Sequence, residues 1–124
     1  MLISEPLTER IIGLAIEVHR NTGRALLESV YEQCLCFELS QADLPFERQV
    51  GIPVFYKGRI LDEGFRADIV VDRKVIIEIK SVTAIQPAHE SQLLTYLRMS
   101  GIKVGPLLNF NSSRLTDGLR RLVV

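Results

Sequence analysis

Three ionisable residues stand in a stretch that otherwise reads as buried sheet: Asp68, Glu78 and Lys80 in RADIVVDRKVIIEIK, residues 66–80. The surrounding Ile and Val residues favour extended chain, and the polar Asp72 and Arg73 fall where a short turn would join two strands. Side chains alternate along a strand, so Glu78 and Lys80 point the same way, opposed to Val75, Ile77 and Ile79. A turn of three residues, Asp72 to Lys74, puts Asp68 directly across from Glu78, with Cβ atoms about 5 Å apart; a turn of two puts them on opposite faces. Two carboxylates at that separation repel, and each pKa rises unless a cation lies between them. Mg²⁺ takes oxygen ligands at about 2.1 Å, keeps several waters, and is commonly held by one or two carboxylates plus a substrate phosphate. A lysine on the same face can orient or deprotonate a water, or stabilise negative charge developing at phosphorus. The hairpin taken alone is equally consistent with a structural charge group at a solvated sheet end.

The elements that must position this hairpin follow from periodicity. Ile11, Leu14, Ala15 and Val18 recur at helical spacing between Leu7 and Arg20, and HRNTGRA breaks the pattern. A second helix is predicted from about Leu26 to Ala42, with Leu27, Val30, Tyr31, Cys34 and Leu35 as its buried stripe and Asp43 to Pro45 as its stop. From Arg48 to Phe110 the period becomes alternating. VGIPVFYKGRIL gives a strand, a Lys57-Gly58 turn and the start of another pairing, and strands near 64–71 and 74–80 follow. Pro87 opens a third helix that ends at Gly101, KVGPLLNF adds a strand, and SRLTDGLRRLVV adds a turn and a terminal strand. Gly23, Gly51, Gly58, Gly64, Gly101, Gly105 and Gly118 read as turn or cap glycines. The fold class is α/β, a mixed central sheet flanked by helices in the order α-α-β-β-β-α-β.

Composition bounds the function without naming it. The 124 residues suit one core, and 47% apolar with 24% charged residues is ordinary for a globular protein. The acidic opening MLISEPLTER and the lack of an apolar run of about 20 residues point to a cytoplasmic protein with no membrane partner. Cys34 and Cys36 lie two apart on a helix, face different ways, and read as reduced packing residues. The net charge is zero, yet residues 1–47 hold 3 basic and 8 acidic groups, a balance of −5, while residues 48–124 hold 12 and 7, a balance of +5. That asymmetry permits a nucleic-acid surface on the second part, as it permits an ordinary mixed surface. No phosphate loop of the Walker type, no G-x-S-x-G elbow and no Cys/His spacing for zinc is present, so ATP-driven, serine-hydrolase and zinc chemistry find no support.

Asp68, nine intervening residues and then Glu78-Ile79-Lys80 resemble the signature of the PD-(D/E)XK nuclease superfamily, with Arg66-Ala67 standing where the proline of that name falls. ALLESVYEQCL, LPFERQVGIPVFYKG, FRADIVVD, VIIEIKSV and HESQLLTYLRMSGIKVGPLLNF together resemble its GxxExxY family over Ile11 to Val123, with Ala25 in place of the family glycine and Glu28 and Tyr31 retained. The resemblance implies a restriction-endonuclease-like domain over residues 1–124 in which Asp68 and Glu78 bind Mg²⁺ or Mn²⁺ and Lys80 activates water. It also implies that Glu28, on the first core helix, contributes to the metal site; the alternative for that residue is a helix N-terminal acid favoured by the macrodipole. Gln92 and Tyr96, four apart on one helix face, resemble the Q-x-x-x-Y motif that lines such active sites. His89, a lone histidine, is expected to be a surface or cap residue.

The function these residues predict is a metal-dependent nuclease cleaving phosphodiester bonds in DNA or RNA, with Arg66, Arg98 and Arg114 holding backbone phosphates. Small size and neutrality suggest a homo-oligomer or a protein partner. The alternatives are a non-catalytic nucleic-acid-binding or regulatory domain of the same fold, and an interaction module whose acids are structural.

Overall fold

Val75, Ile76, Ile77 and Ile79 make one strand apolar on both faces, the composition of a strand covered by helices on each side. In the computed structural model, which describes residues 5–61 and 64–124, that strand is the centre of a layered α/β arrangement. In chain order the elements are α1 (Glu5–Thr22), α2 (Glu28–Gln41), β1 (Phe46–Gly51), β2 (Val54–Tyr56), β3 (Arg59–Leu61), β4 (Arg66–Val71), β5 (Val75–Lys80), α3 (Pro87–Ser100), β6 (Val104–Asn109), a 3-10 turn (Leu115–Gly118) and β7 (Leu119–Val123). Five strands form a mixed sheet in the order β1-β4-β5-β6-β7, and β2 with β3 forms a separate hairpin. Among the described strands only β5 and β6 are parallel, because α3 carries the chain back across the sheet between them; the other neighbours are antiparallel. The mixed sheet flanked by helices is the fold expected from the sequence, with more strands than the basic order names. Among the described residues no helix is long and apolar enough to cross a membrane.

Each face of the sheet has its own apolar cluster. Ile69, Val71, Val75, Ile77 and Ile79 pack beneath α1 and α2 against Ile11, Tyr31 and Leu35. Val70, Ile76 and Leu107 pack beneath α3 against Leu93, Tyr96 and Leu97. Glu78 and Lys80 share the parity of Ile76, so the charged groups of β5 belong to the α3 face. Gly105, in the interior of β6, is no turn glycine: a Cβ there would lie 2.5 Å from the Ile76 carbonyl oxygen and 3.2 Å from Leu93 Cδ1, so its bareness lets α3 sit close. Gly51, the last residue of β1, likewise lies in a strand.

Two local expectations are corrected. The buried side of α2 is Tyr31, Glu32, Leu35, Cys36 and Leu39, whereas Leu27 is 73% exposed and Val30 lies at the surface. Leu27 precedes the helix, and a glutamate takes a buried place because Arg48 and Gln49 reach it. In β4 the single apolar face expected for Phe65, Ala67, Ile69 and Val71 breaks, since Phe65 and Ala67 pack with the α3 cluster and Ile69 and Val71 with the other. The two cysteines are free, as expected, and burial pushes the Cys36 thiol up to about 11, leaving it protonated at neutral pH.

The loop between α1 and α2 is tied down by one side chain. Tyr31 stacks on Phe110 at 4.5 Å, its hydroxyl donates to the Gly23 carbonyl at 2.7 Å, and the Leu26 N–H donates to that hydroxyl at 3.1 Å. Between those anchors Ala25 has φ of 73°, the left-handed region that suits glycine. Ala25→Gly is therefore expected to stabilise the protein by about 1 kcal/mol, the steric cost removed outweighing the extra freedom of the unfolded chain. The check is the urea unfolding midpoint, and a lower midpoint for the variant would refute strain at this position.

Candidate active site

The turn of the central hairpin has the length the chemistry demands. Ile69 pairs with Ile77, Val70 with Ile76 and Val71 with Val75, leaving Asp72, Arg73 and Lys74 as a three-residue connection and setting Asp68 level with Glu78. Asp72 and Arg73 both have positive φ, and the Lys74 N–H donates to the Val71 carbonyl at 2.9 Å to close the turn.

Beyond Ile69 and Ile77 the backbone ladder stops, and side chains replace it. The Asp68 N–H donates to Glu78 Oε1 at 3.2 Å, and the Ile79 N–H donates to Asp68 Oδ2 at 2.8 Å. The ladder between β1 and β4 is interrupted at the same level, where Gln49 has φ of 50°. Gln49 Nε2 donates to Asp68 Oδ1 at 3.4 Å and to Glu32 Oε1 at 2.9 Å. Arg48 closes the other side of Glu32, its Nε and Nη2 donating to Oε2 at 3.0 and 2.8 Å. A fork from arginine with two bonds compensates the burial of Glu32, which is 6% exposed. Asp68 is thus held from both neighbouring strands.

Glu78 is only 3% exposed, and burial first, then the Asp68 charge, pushes its carboxyl up to about 9. Lys80, half-buried at the end of β5, acts on Glu78 in the opposite sense. A buried acid beside a partly exposed one, with a cation on the same face, suits a divalent ion: the donors are hard oxygens, and their mutual repulsion is what such an ion relieves.

Tyr96 stands over the pair from α3. Burial and the charges of Glu78 and Asp68 raise its phenol, while hydrogen bonding to the Arg66 backbone and to Gln92 opposes them. Its ring lies 5.6 Å from that of Phe65, and the two line a groove of about 430 Å³ with Gln92, Ser91, Thr95 and Ala88. Gln92 is at the surface of that groove. Asp68, Glu78, Lys80, Gln92 and Tyr96 are therefore brought together.

Glu28 is not brought to the pair. It is the exposed first residue of α2, where the helix dipole favours an acid, and its Oε2 accepts from the Ser81 N–H at 3.3 Å. Among the described residues no three His, Cys, Asp or Glu side chains converge as a ligand group, so Asp68 and Glu78 stand as a pair. Arg66 opens β4 and donates to the Gln49 carbonyl at 3.2 Å. Arg114 is exposed on the loop after β6, at the sheet end shared with Lys80, since Lys80 pairs with Asn109. Arg98 is exposed in the last turn of α3, towards the other end of the sheet. His89 caps α3, its Nδ1 accepting from the Gln86 N–H at 2.9 Å.

The residues that sequence reasoning passed over are Glu32, Arg48 and Gln49. A signal existed for the first: Glu32 follows Glu28 by one helical turn and adjoins the buried Tyr31. Nothing in the sequence marked Gln49, whose role depends on a left-handed backbone at a non-glycine residue.

With fold and site in view, the chain belongs to the PD-(D/E)XK nuclease superfamily: the family model so described matches residues 5–122. No curated protein and no solved structure matches it.

Because the folded pKa of Glu78 is about 9 against an ordinary 4.5, the folded state binds more protons than the unfolded state between those values, and stability falls as pH rises through that window. In metal-free buffer the thermal midpoint is expected to drop from about pH 5 to about pH 9, and Glu78→Gln to flatten the drop. Equal slopes for the two proteins would exclude a proton held at Glu78.

Proposed function

We propose that the protein is a divalent-metal-dependent nuclease that hydrolyses phosphodiester bonds in DNA or RNA. The observation that carries this reading is the level placement of Asp68 and Glu78 with Lys80 on the same strand face, in a chain of nuclease family. Asp68 and Glu78 would hold Mg²⁺ or Mn²⁺, which when bound supplies Lewis-acid activation at the scissile phosphate. Lys80 orients the attacking water or stabilises charge developing on the phosphate oxygens. Gln49, fixed by Glu32, orients the Asp68 carboxylate, and Tyr96 and Gln92 form the wall against which substrate is placed. Arg66 and Arg114 lie where they can engage the backbone of a nucleic acid entering from the Lys80 end.

Glu28 and Arg98 have narrower parts in this reading. Glu28 orders the segment that follows Lys80 through Ser81, and Arg98 supplies charge remote from the reacting bond. The narrower assignment to the GxxExxY group is supported by the loop itself: Ala25 occupies a glycine-type conformation, and Tyr31 holds that loop to the core.

The test is cleavage of labelled DNA and RNA in Mg²⁺ or Mn²⁺ by the wild type, Asp68→Ala and Lys80→Ala. Each variant is expected to lose about a hundredfold or more in turnover, and calorimetric titration should show Mn²⁺ binding lost in Asp68→Ala and kept in Lys80→Ala. Equal cleavage by all three would assign the activity to a contaminant. Strand binding without turnover in any metal would instead support the non-catalytic nucleic-acid-binding domain.

A further inference from the structure

The β2–β3 hairpin stands outside the five-stranded sheet and exposes what a folded protein ordinarily hides. Phe55 is 53%, Tyr56 58% and Ile60 67% exposed, and among the described residues β2 pairs only with β3. A two-stranded ribbon is marginal in water by itself, so apolar exposure on it has a structural cost with no structural return. Its shape is nevertheless fixed. Tyr56 pairs with Arg59 across a two-residue turn in which Lys57 and Gly58 have φ of 50° and 74°, the left-handed pair that matches strand twist. Lys57 Nζ lies 5.4 Å from the centre of the Tyr56 ring.

Its root places it beside the site. Gly51 pairs with Arg66, and the Ile52 N–H donates to the Phe65 carbonyl at 2.8 Å, so the ribbon springs from the residues just before Asp68. Phe65 continues into the groove shared with Tyr96 and Gln92. Residues 48–61 include Arg48, Lys57 and Arg59 and no acid; Arg48 is engaged by Glu32, and Asp62 and Glu63, which follow, lie outside the described residues.

We propose that this hairpin grips an unpaired nucleic-acid strand, with the rings of Phe55 and Tyr56, on opposite faces of the ribbon, each stacking on a base and Lys57 and Arg59 contacting phosphates, and delivers the strand to the groove at Phe65 and Tyr96. Exposed rings beside cations suit bases that are already unstacked, and stacking tolerates any sequence. A second copy of the chain is the weaker occupant, because hairpin-to-hairpin contact would bring the cations of the two copies together. The inference names the substrate class of the nuclease reading and rests on it for the direction of delivery; the grip itself does not require turnover.

Binding is therefore measured in EDTA, by anisotropy of fluorescein-labelled oligothymidylate with the full chain. Phe55→Ala/Tyr56→Ala is expected to weaken binding about tenfold or more, while Phe55→Tyr/Tyr56→Phe, which keeps both rings and the ribbon, retains it. Phe37→Ala, which removes a 60% exposed ring on α2, serves as the off-site control and is expected to bind as the wild type does. Lys57→Gln/Arg59→Gln should lower the slope of log Kd against log salt by about 1.4, two phosphates at about 0.7 each. Wild-type affinity in the double alanine variant would overturn the proposal. So would equal binding, with equal loss, for a blunt duplex, or a wild-type dimer that the double alanine variant dissolves without effect on strand binding. Absence of cleavage with these binding results intact would sink the nuclease reading alone.

Discussion

The exchange in which the Asp68 N–H donates to the Glu78 carboxylate while the Ile79 N–H donates to the Asp68 carboxylate holds a buried acid and a partly exposed one together within the sheet. Each carboxylate stands in for a backbone partner that the ladder no longer supplies at this level, so the acids have a structural part in the sheet. Everything nearby serves this exchange. β5 is anchored by apolar packing on both faces, Gln49 reaches Asp68 from β1, and α3 lays Tyr96 over the gap. Burial also raises the Glu78 carboxyl, and the Asp68 charge adds to that rise while Lys80 opposes it.

Much of the fold was legible because its signals are local. The alternation in 64–80, the helical spacing of Ile11, Leu14, Ala15 and Val18, the Pro87 start and Gly101 stop of α3, and the Lys57-Gly58 turn each depend on a few neighbouring residues. The site was legible to the extent that register is. Once the turn is three residues long, the facing of Asp68 and Glu78 follows from the period of the strand.

What escaped was long-range or contrary to local rule. The inward turn of Glu32 depends on Arg48 and Gln49 arriving from another element, and no helical pattern announces that compensation. The split of β4 between two cores depends on the break at Gln49 and Asp68, which period-two reasoning smooths over. Glu28 has the residue type of a ligand, yet its carboxylate accepts from the Ser81 N–H, a contact that depends on the fold. The exposed ribbon was read correctly as a pairing, but exposure on both sides cannot be inferred from strand propensity.

The three-residue turn from Asp72 to Lys74 has a consequence for how this chain can diverge. Most surface connections absorb insertions and deletions, since loop length alters the entropy of closure only slowly. Here one residue more or less would rotate Glu78 and Lys80 to the opposite face and leave the apolar pattern reversed with them. Within residue types that tolerate the left-handed backbone at Asp72 and Arg73, this hairpin constrains chain length as strictly as composition.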